Sequence, residues 1–146
     1  MKLLDANILL YAFDANSTHH ATCKAWLEST LNDDEPVGLP WQTSLAFIRI
    51  STNPRALRTP LSIADACDIV DSLLEQPCTV VVEPGEHYWE TFRALVTASR
   101  VSGPLVTGAA LAAMAIEQGA SVCTTDRDFR RFDGIAIIDP SQPASA

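Results

Sequence analysis

Three aspartates in two distant stretches carry the chemistry this chain could do. Asp5 ends the run Lys2-Leu3-Leu4 and is followed by Ala6-Asn7. Asp126 and Asp128 follow Val122-Cys123-Thr124-Thr125 and precede Phe129. Each stretch reads as a buried strand that ends in an acid and passes into a helix or a tight turn. In an open parallel sheet the carboxyl ends of the strands line one edge, and ligands bind there where the strand order reverses. If the two strands are neighbours, Asp5 and Asp126 meet at that edge, with Asp128 close by. Two carboxylates about 4 Å apart repel by roughly 4 kcal/mol at an effective dielectric near 20. A divalent cation relieves that repulsion, and so does a proton. The expectation is Mg²⁺ or Mn²⁺ held by Asp5 and Asp126, with Asp128 as a direct or water-mediated ligand. A plainer reading stands beside it. Each Asp also suits a helix cap, and Asp126-Arg127-Asp128 is an ordinary turn sequence.

The elements that must position these residues follow from hydrophobic periodicity. Asn7 to Phe13 predicts a buried helix, with Asn7 either capping it or orienting Asp5 through its amide. His19 to Leu31 predicts a second helix, and Val37 to Leu39 a short strand. A helix then runs from Trp41 to Ser51, and Thr52-Asn53-Pro54-Arg55 breaks it. Ser62 to Asp65 is a capping signal, with Ile63, Ala66, Cys67, Val70 and Leu74 on the apolar face that follows. Cys78 to Val82 predicts a strand rich in Val. Tyr88, Trp89, Phe92, Leu95 and Val96 mark the buried face of the next helix. Another, dense in Ala, runs from Pro104 to Gln118 and stops at Gly119. Ser121 to Thr124 and Ile135 to Ile138 complete the strands. Strands alternating with helices imply an α/β fold with a largely parallel sheet. The expected division is one domain over 1–140 and a frayed tail over 141–146.

The 146 residues suit a single core, and 47% hydrophobic residues argue against disorder. The four cysteines, Cys23, Cys67, Cys78 and Cys123, form no Cys-x-x-Cys pair and read as buried free thiols. The start has no signal-peptide pattern and no run is long enough to span a membrane, so the expected location is cytoplasmic. A net charge of −8 is awkward for a nucleic-acid binder, since phosphate contacts need Lys or Arg. It suits an acidic metal site with arginines nearby. Arg49, Arg55, Arg58, Arg127, Arg130 and Arg131 are the candidates for a polyanion. Asn7, Thr107, Thr124 and Thr125 are candidates to bond the carboxylates or a phosphate, or else serve as caps and turns. A nucleotide-binding domain is disfavoured, because neither Gly-x-x-x-x-Gly-Lys-Ser/Thr nor Gly-x-Gly-x-x-Gly occurs. A haloacid-type phosphatase would want Asp where this chain has Asn7. Low charge content and apolar helices point to a homodimer.

Three segments resemble a known family: Leu4-Asp5-Ala6-Asn7-Ile8-Leu9-Leu10-Tyr11, Arg49-Ile50-Ser51-Thr52-Asn53-Pro54-Arg55, and Thr125-Asp126-Arg127-Asp128-Phe129. Together they resemble a PIN domain, and more narrowly the VapC-type toxins of bacterial toxin–antitoxin pairs. The resemblance implies five parallel strands in the order 3-2-1-4-5, flanked by helices. It also implies a Mg²⁺-dependent endoribonuclease that leaves a 5′-phosphate and is inhibited by a small cognate antitoxin. Asp5, Asp126 and Asp128 match the catalytic acids, with Asn7, Thr125 and Arg127 toward the RNA. The chain departs from the pattern twice. Ala46 stands where the family has Glu, and Gly108 where it has an acidic metal ligand, Asp. Gly in a helix costs up to about 1 kcal/mol relative to Ala, so helix stability does not account for Gly108. Two readings follow: a ribonuclease with a weakened acidic site, or an inactive PIN-fold module that binds antitoxin or RNA.

Overall fold

Alternation along two central strands divides the core into two layers. β1 (Lys2–Leu4) and β4 (Ser121–Cys123) run parallel, with Leu3 opposite Val122 and Leu4 opposite Cys123. Successive side chains of a strand point to opposite faces, so Leu3 and Val122 enter one layer and Leu4 and Cys123 the other. A computed structural model describes residues 1–142. β2 (Val37–Gly38) and β3 (Thr79–Val80) extend the sheet on one side of β1, and β5 (Ala136–Ile138) extends it beyond β4. All pairs are parallel and the order is β3-β2-β1-β4-β5. The chain builds outward from β1 to β3, then crosses back to β4. The order therefore reverses between β1 and β4, which is where Asp5 and Asp126 follow their strands.

The helices are α1 (Ala6–Phe13), α2 (His20–Leu31), α3 (Trp41–Ser51), α4 (Ile63–Leu74), α5 (Tyr88–Ser99) and α6 (Leu105–Gln118). α1 to α4 cover the Leu4 face through Ile8, Leu9, Leu27, Phe47, Val70 and Leu73. α5 and α6 cover the Leu3 face through Leu95, Leu111, Ala112 and Ala115. The alanines of α6 let it lie close to the sheet, and Ala109, Ala112, Ala113 and Ala115 are fully buried. Gly119 ends α6 at φ +61°, the left-handed cap position. Ser62 caps α4 by accepting from the Asp65 N–H at 3.0 Å.

The strands are shorter than the sequence suggests. β3 lies at the edge and pairs only through Thr79 and Val80, while Val82 beyond it is buried in the Leu3 layer without strand pairing. The apolar faces also differ in detail. Ile63 is 61% exposed and Trp89 is 65% exposed. Each lies in the first turn of its helix, before the buried face meets the sheet. Residues 143–146 of the expected tail lie outside the described residues. Before them, the Ser141 N–H and hydroxyl both donate to Asp139 Oδ1, at 2.9 and 2.6 Å. Among the described residues no helix is long and apolar enough to cross a membrane.

The cysteines correct the expectation of four buried thiols. Cys23 and Cys123 are buried, Cys78 is half-buried, and Cys67 is exposed. Ala66 and Val70 take the inward line of α4, and Cys67 falls about 100° around the helix from Ala66. Burial pushes the Cys123 thiol up to about 12 and also raises that of Cys23, with Asp139 adding to the shift. Thiolate is the reactive form. Iodoacetamide at mildly alkaline pH is therefore expected to label Cys67 first, and Cys23 and Cys123 only on unfolding. Peptide mass spectrometry reads this directly. Early labelling of Cys123 would contradict its placement.

Candidate functional site

The end of β1 is tied down before the first acid appears. Thr43, in the first turn of α3, donates its hydroxyl to the Leu4 carbonyl at 2.7 Å in a buried contact. The Asp5 N–H then donates to the Cys123 carbonyl at 3.0 Å, which carries the β1–β4 pairing one residue further. Asp5 itself, not Asn7, caps α1: Oδ1 accepts from the Ala6 N–H at 2.8 Å. Its other oxygen, Oδ2, accepts from the Thr124 hydroxyl at 2.7 Å. The cap and the candidate ligand are thus the same side chain. The plain reading of Asp5 is correct, and it leaves the carboxylate at the strand edge.

Thr124 is the hub of the site. It is buried, and its Oγ1 accepts from the Asn7 amide at 3.1 Å and from the Asp126 N–H at 3.0 Å. One hydroxyl therefore joins Asp5, Asn7 and Asp126. Asn7 orients Asp5 through Thr124 rather than directly. Its Oδ1 also lies 3.5 Å from the Thr125 N–H that donates to it. From the sequence alone Thr124 is one of several Thr and Asn candidates. Its clearest signal is position, directly after β4 and two residues before Asp126. Thr124→Val keeps the shape but removes all three bonds. It is expected to cost about 2–3 kcal/mol, read as a lower urea midpoint at unchanged slope.

Asp126 opens a 3₁₀ turn, Arg127–Arg131, and its Oδ1 accepts from the Asp128 N–H at 2.9 Å. Asp126 and Asp5 line one cleft of about 280 Å³ between α1, α3 and α6. Asn7, Thr43, Ala46, Arg49, Thr107 and Gly108 share its walls. Asp128 does not line the cleft. Its carboxylate pairs with Arg131, Nε to Oδ1 at 3.5 Å. Arg127 and Thr125 also lie off the cleft wall. Burial raises the pKa of Asp5; the bonds from Thr124 and Ala6 pull it down, and the charge of Asp126 adds to the rise.

Two carboxylates on one cleft are a small, hard donor set. Mg²⁺ is commonly held by one or two carboxylates plus waters and substrate phosphate, so Asp5 and Asp126 fit such an ion. Among the described residues no group of three or more His, Cys, Asp or Glu side chains forms a metal cage. Gly108 shows where a third acid has room. A Cβ there would meet Phe129 Cζ at 3.5 Å and Phe132 Cε2 at 3.7 Å, ordinary contact distances.

A family profile of the PIN domain matches residues 2–135. The chain belongs to the PIN-domain family. It is 41% identical over 132 residues to Ribonuclease VapC43 of Mycobacterium tuberculosis, covering 90% of each chain. Ribonuclease VapC37 of the same organism is 36% identical over 140 residues, covering 96% of this chain and 97% of its own. The VapBC2 complex of Rickettsia felis, crystallised on a promoter DNA fragment, contains a chain with the same fold. Its TM-score is 0.70 at 15% identity, covering 94% of this chain and 96% of that one. Within the PIN family this chain is of the VapC type.

Proposed function

We propose that this chain is a metal-dependent endoribonuclease toxin, neutralised by a cognate antitoxin. The observation that carries the reading is the Asp5–Thr124–Asp126 arrangement: two acids on one cleft at the reversal of strand order, with one buried hydroxyl that donates to the Asp5 carboxylate and accepts from the Asp126 N–H. The relatives named as VapC ribonucleases, at 36–41% identity, support it.

Asp5 and Asp126 would hold Mg²⁺ or Mn²⁺, which when bound polarises a phosphodiester and lowers the pKa of a coordinated water. The chain's own part is positioning. Thr124 and the Ala6 N–H fix both oxygens of Asp5, so the carboxylate is held before any ligand arrives. Asp128 holds the 3₁₀ turn through Arg131 and bears on Asp126 through its backbone. Asn7, on the cleft wall, would meet a phosphate there, while Thr125 and Arg127 lie off the wall and would meet only a strand that extends beyond it. A homodimer in the cytoplasm, covered by antitoxin in the resting state, completes the proposal.

A mixed RNA pool incubated with the chain and Mg²⁺ or Mn²⁺ tests this. The expected result is endonucleolytic fragments bearing 5′-phosphates, abolished by EDTA. Fragments that persist in EDTA would contradict the metal-dependent reading. A second reading rests on Ala46 and Gly108, which leave the α3 and α6 walls of the cleft without acids. It is a module of the same fold that binds antitoxin or RNA without cutting. Binding without cleavage, with either metal, would favour it.

A further inference from the structure

The cleft is long as well as acidic. Its α3 wall runs from Gln42 to Ile50, about 12 Å of helix. Thr43 ties the near end to Leu4, the residue before Asp5. Arg49 lines the wall about 9 Å further along the axis. It is the one basic residue among those that line this cleft.

Among the described residues no carboxylate oxygen lies within 4 Å of its guanidinium. Arg49 is exposed, and the ion pairs among the described residues do not include it. The residues that would meet it one turn away on α3 and just beyond are Leu45, Ala46, Thr52 and Asn53, none of them acidic. Arg131, by contrast, is engaged by Asp128. A polyanion entering a cleft that holds Asp5 and Asp126 is repelled unless a cation offsets them. A guanidinium does so with geometry, since its fork matches two phosphate oxygens.

We infer that Arg49 binds a phosphate of a single RNA strand lying along this cleft, a neighbour of the phosphate at Asp5 and Asp126. It thereby fixes the register of the strand. This rests on the ribonuclease reading above and adds a substrate-binding residue to it.

The test is fluorescence anisotropy with a short labelled single-stranded RNA of mixed sequence, Ca²⁺ replacing Mg²⁺. Arg49→Gln is expected to weaken binding about tenfold at low salt. It should also flatten the log–log salt dependence by about 0.7, the value for one phosphate contact on a single strand. Arg49→Lys restores the salt slope, because it restores the charge. Lys24→Gln, on α2 away from the cleft, leaves both quantities unchanged. In Mg²⁺-dependent cleavage Arg49→Gln raises KM and leaves kcat nearly unchanged. If Arg49→Gln binds RNA with the parent's affinity and slope, the inference is overturned and the ribonuclease reading stands. If kcat falls and KM holds, Arg49 acts at the reacting phosphate and the stated role is wrong. If the parent chain neither binds nor cuts RNA, the ribonuclease reading fails and takes this inference with it.

Discussion

Gly108→Asp is expected to tighten Mg²⁺ or Mn²⁺ binding about tenfold or more and to raise RNA cleavage with it. Tenfold is about 1.4 kcal/mol, small beside the attraction between a third carboxylate and a divalent ion a few ångströms away. Several kcal/mol is the gross figure at an effective dielectric near 20, and repulsion from Asp5 and Asp126 offsets much of it. The site accepts the side chain. Gly108 is the fourth residue of α6, its backbone is helical, and the atoms nearest to a Cβ there belong to Phe129 and Phe132 at ordinary contact distances. Losing a helical glycine helps α6 slightly, and a negative charge near the helix N-terminus adds to that. Gly108→Ala measures the helix contribution alone, and Gly108→Asn measures shape without charge. Isothermal titration with Mn²⁺ and cleavage of the RNA pool give the two readouts. Should the Asp and Asn variants behave alike in both, the cleft is not a metal site and the non-cutting reading is favoured.

That prediction depends on a part of the fold that was legible from residues alone. Leu3-Leu4 before Asp5, and Val122-Cys123 before Thr124, are short apolar runs that end in polar residues. Their alternation places one residue of each pair in either layer, and nothing distant has to be known to read it. Trp41–Ser51 and the Ser62 cap of α4 were equally local and came out with the expected bounds. What stayed hidden depended on pairing across the chain. The extent of β3 is set by its place at the sheet edge. The exposure of Cys67 is set by how α4 is rotated on the core. The role of Thr124 is set by three partners, two of them more than a hundred residues away. Asp128 shows the converse. Its spacing from Asp126 suggested a third acid in the cleft, yet the 3₁₀ turn directs it to Arg131. At Asp5 the cap and the candidate ligand are one side chain, because a helix that starts at a strand end points its first N–H groups at the edge where the carboxylate sits.

Asp5→Asn is expected to lower metal-dependent cleavage about 100-fold or more, the scale of losing one electrostatic group aimed at the reacting phosphate, while making the metal-free protein more stable at neutral pH. The two effects have one cause. Burial raises the pKa of Asp5 in the folded chain above the ordinary value of 3.8. The folded state then holds its proton to higher pH than the unfolded state does. Stability is full below the unfolded pKa, declines as pH rises toward the folded pKa, and stays reduced above it. At neutral pH the charged Asp5 is therefore a standing cost, which the neutral amide removes while its oxygen can still cap the Ala6 N–H. Added Mg²⁺ reverses the order, since a ligand that binds only the folded state stabilises it by mass action. The urea midpoint of the parent should climb with Mg²⁺ and that of Asp5→Asn should barely move. A variant less stable than the parent without metal would show that the bonds from Thr124 and Ala6 outweigh burial at Asp5. A variant that still cuts RNA would remove Asp5 from the metal site, and Asp126 alone could not sustain the reading.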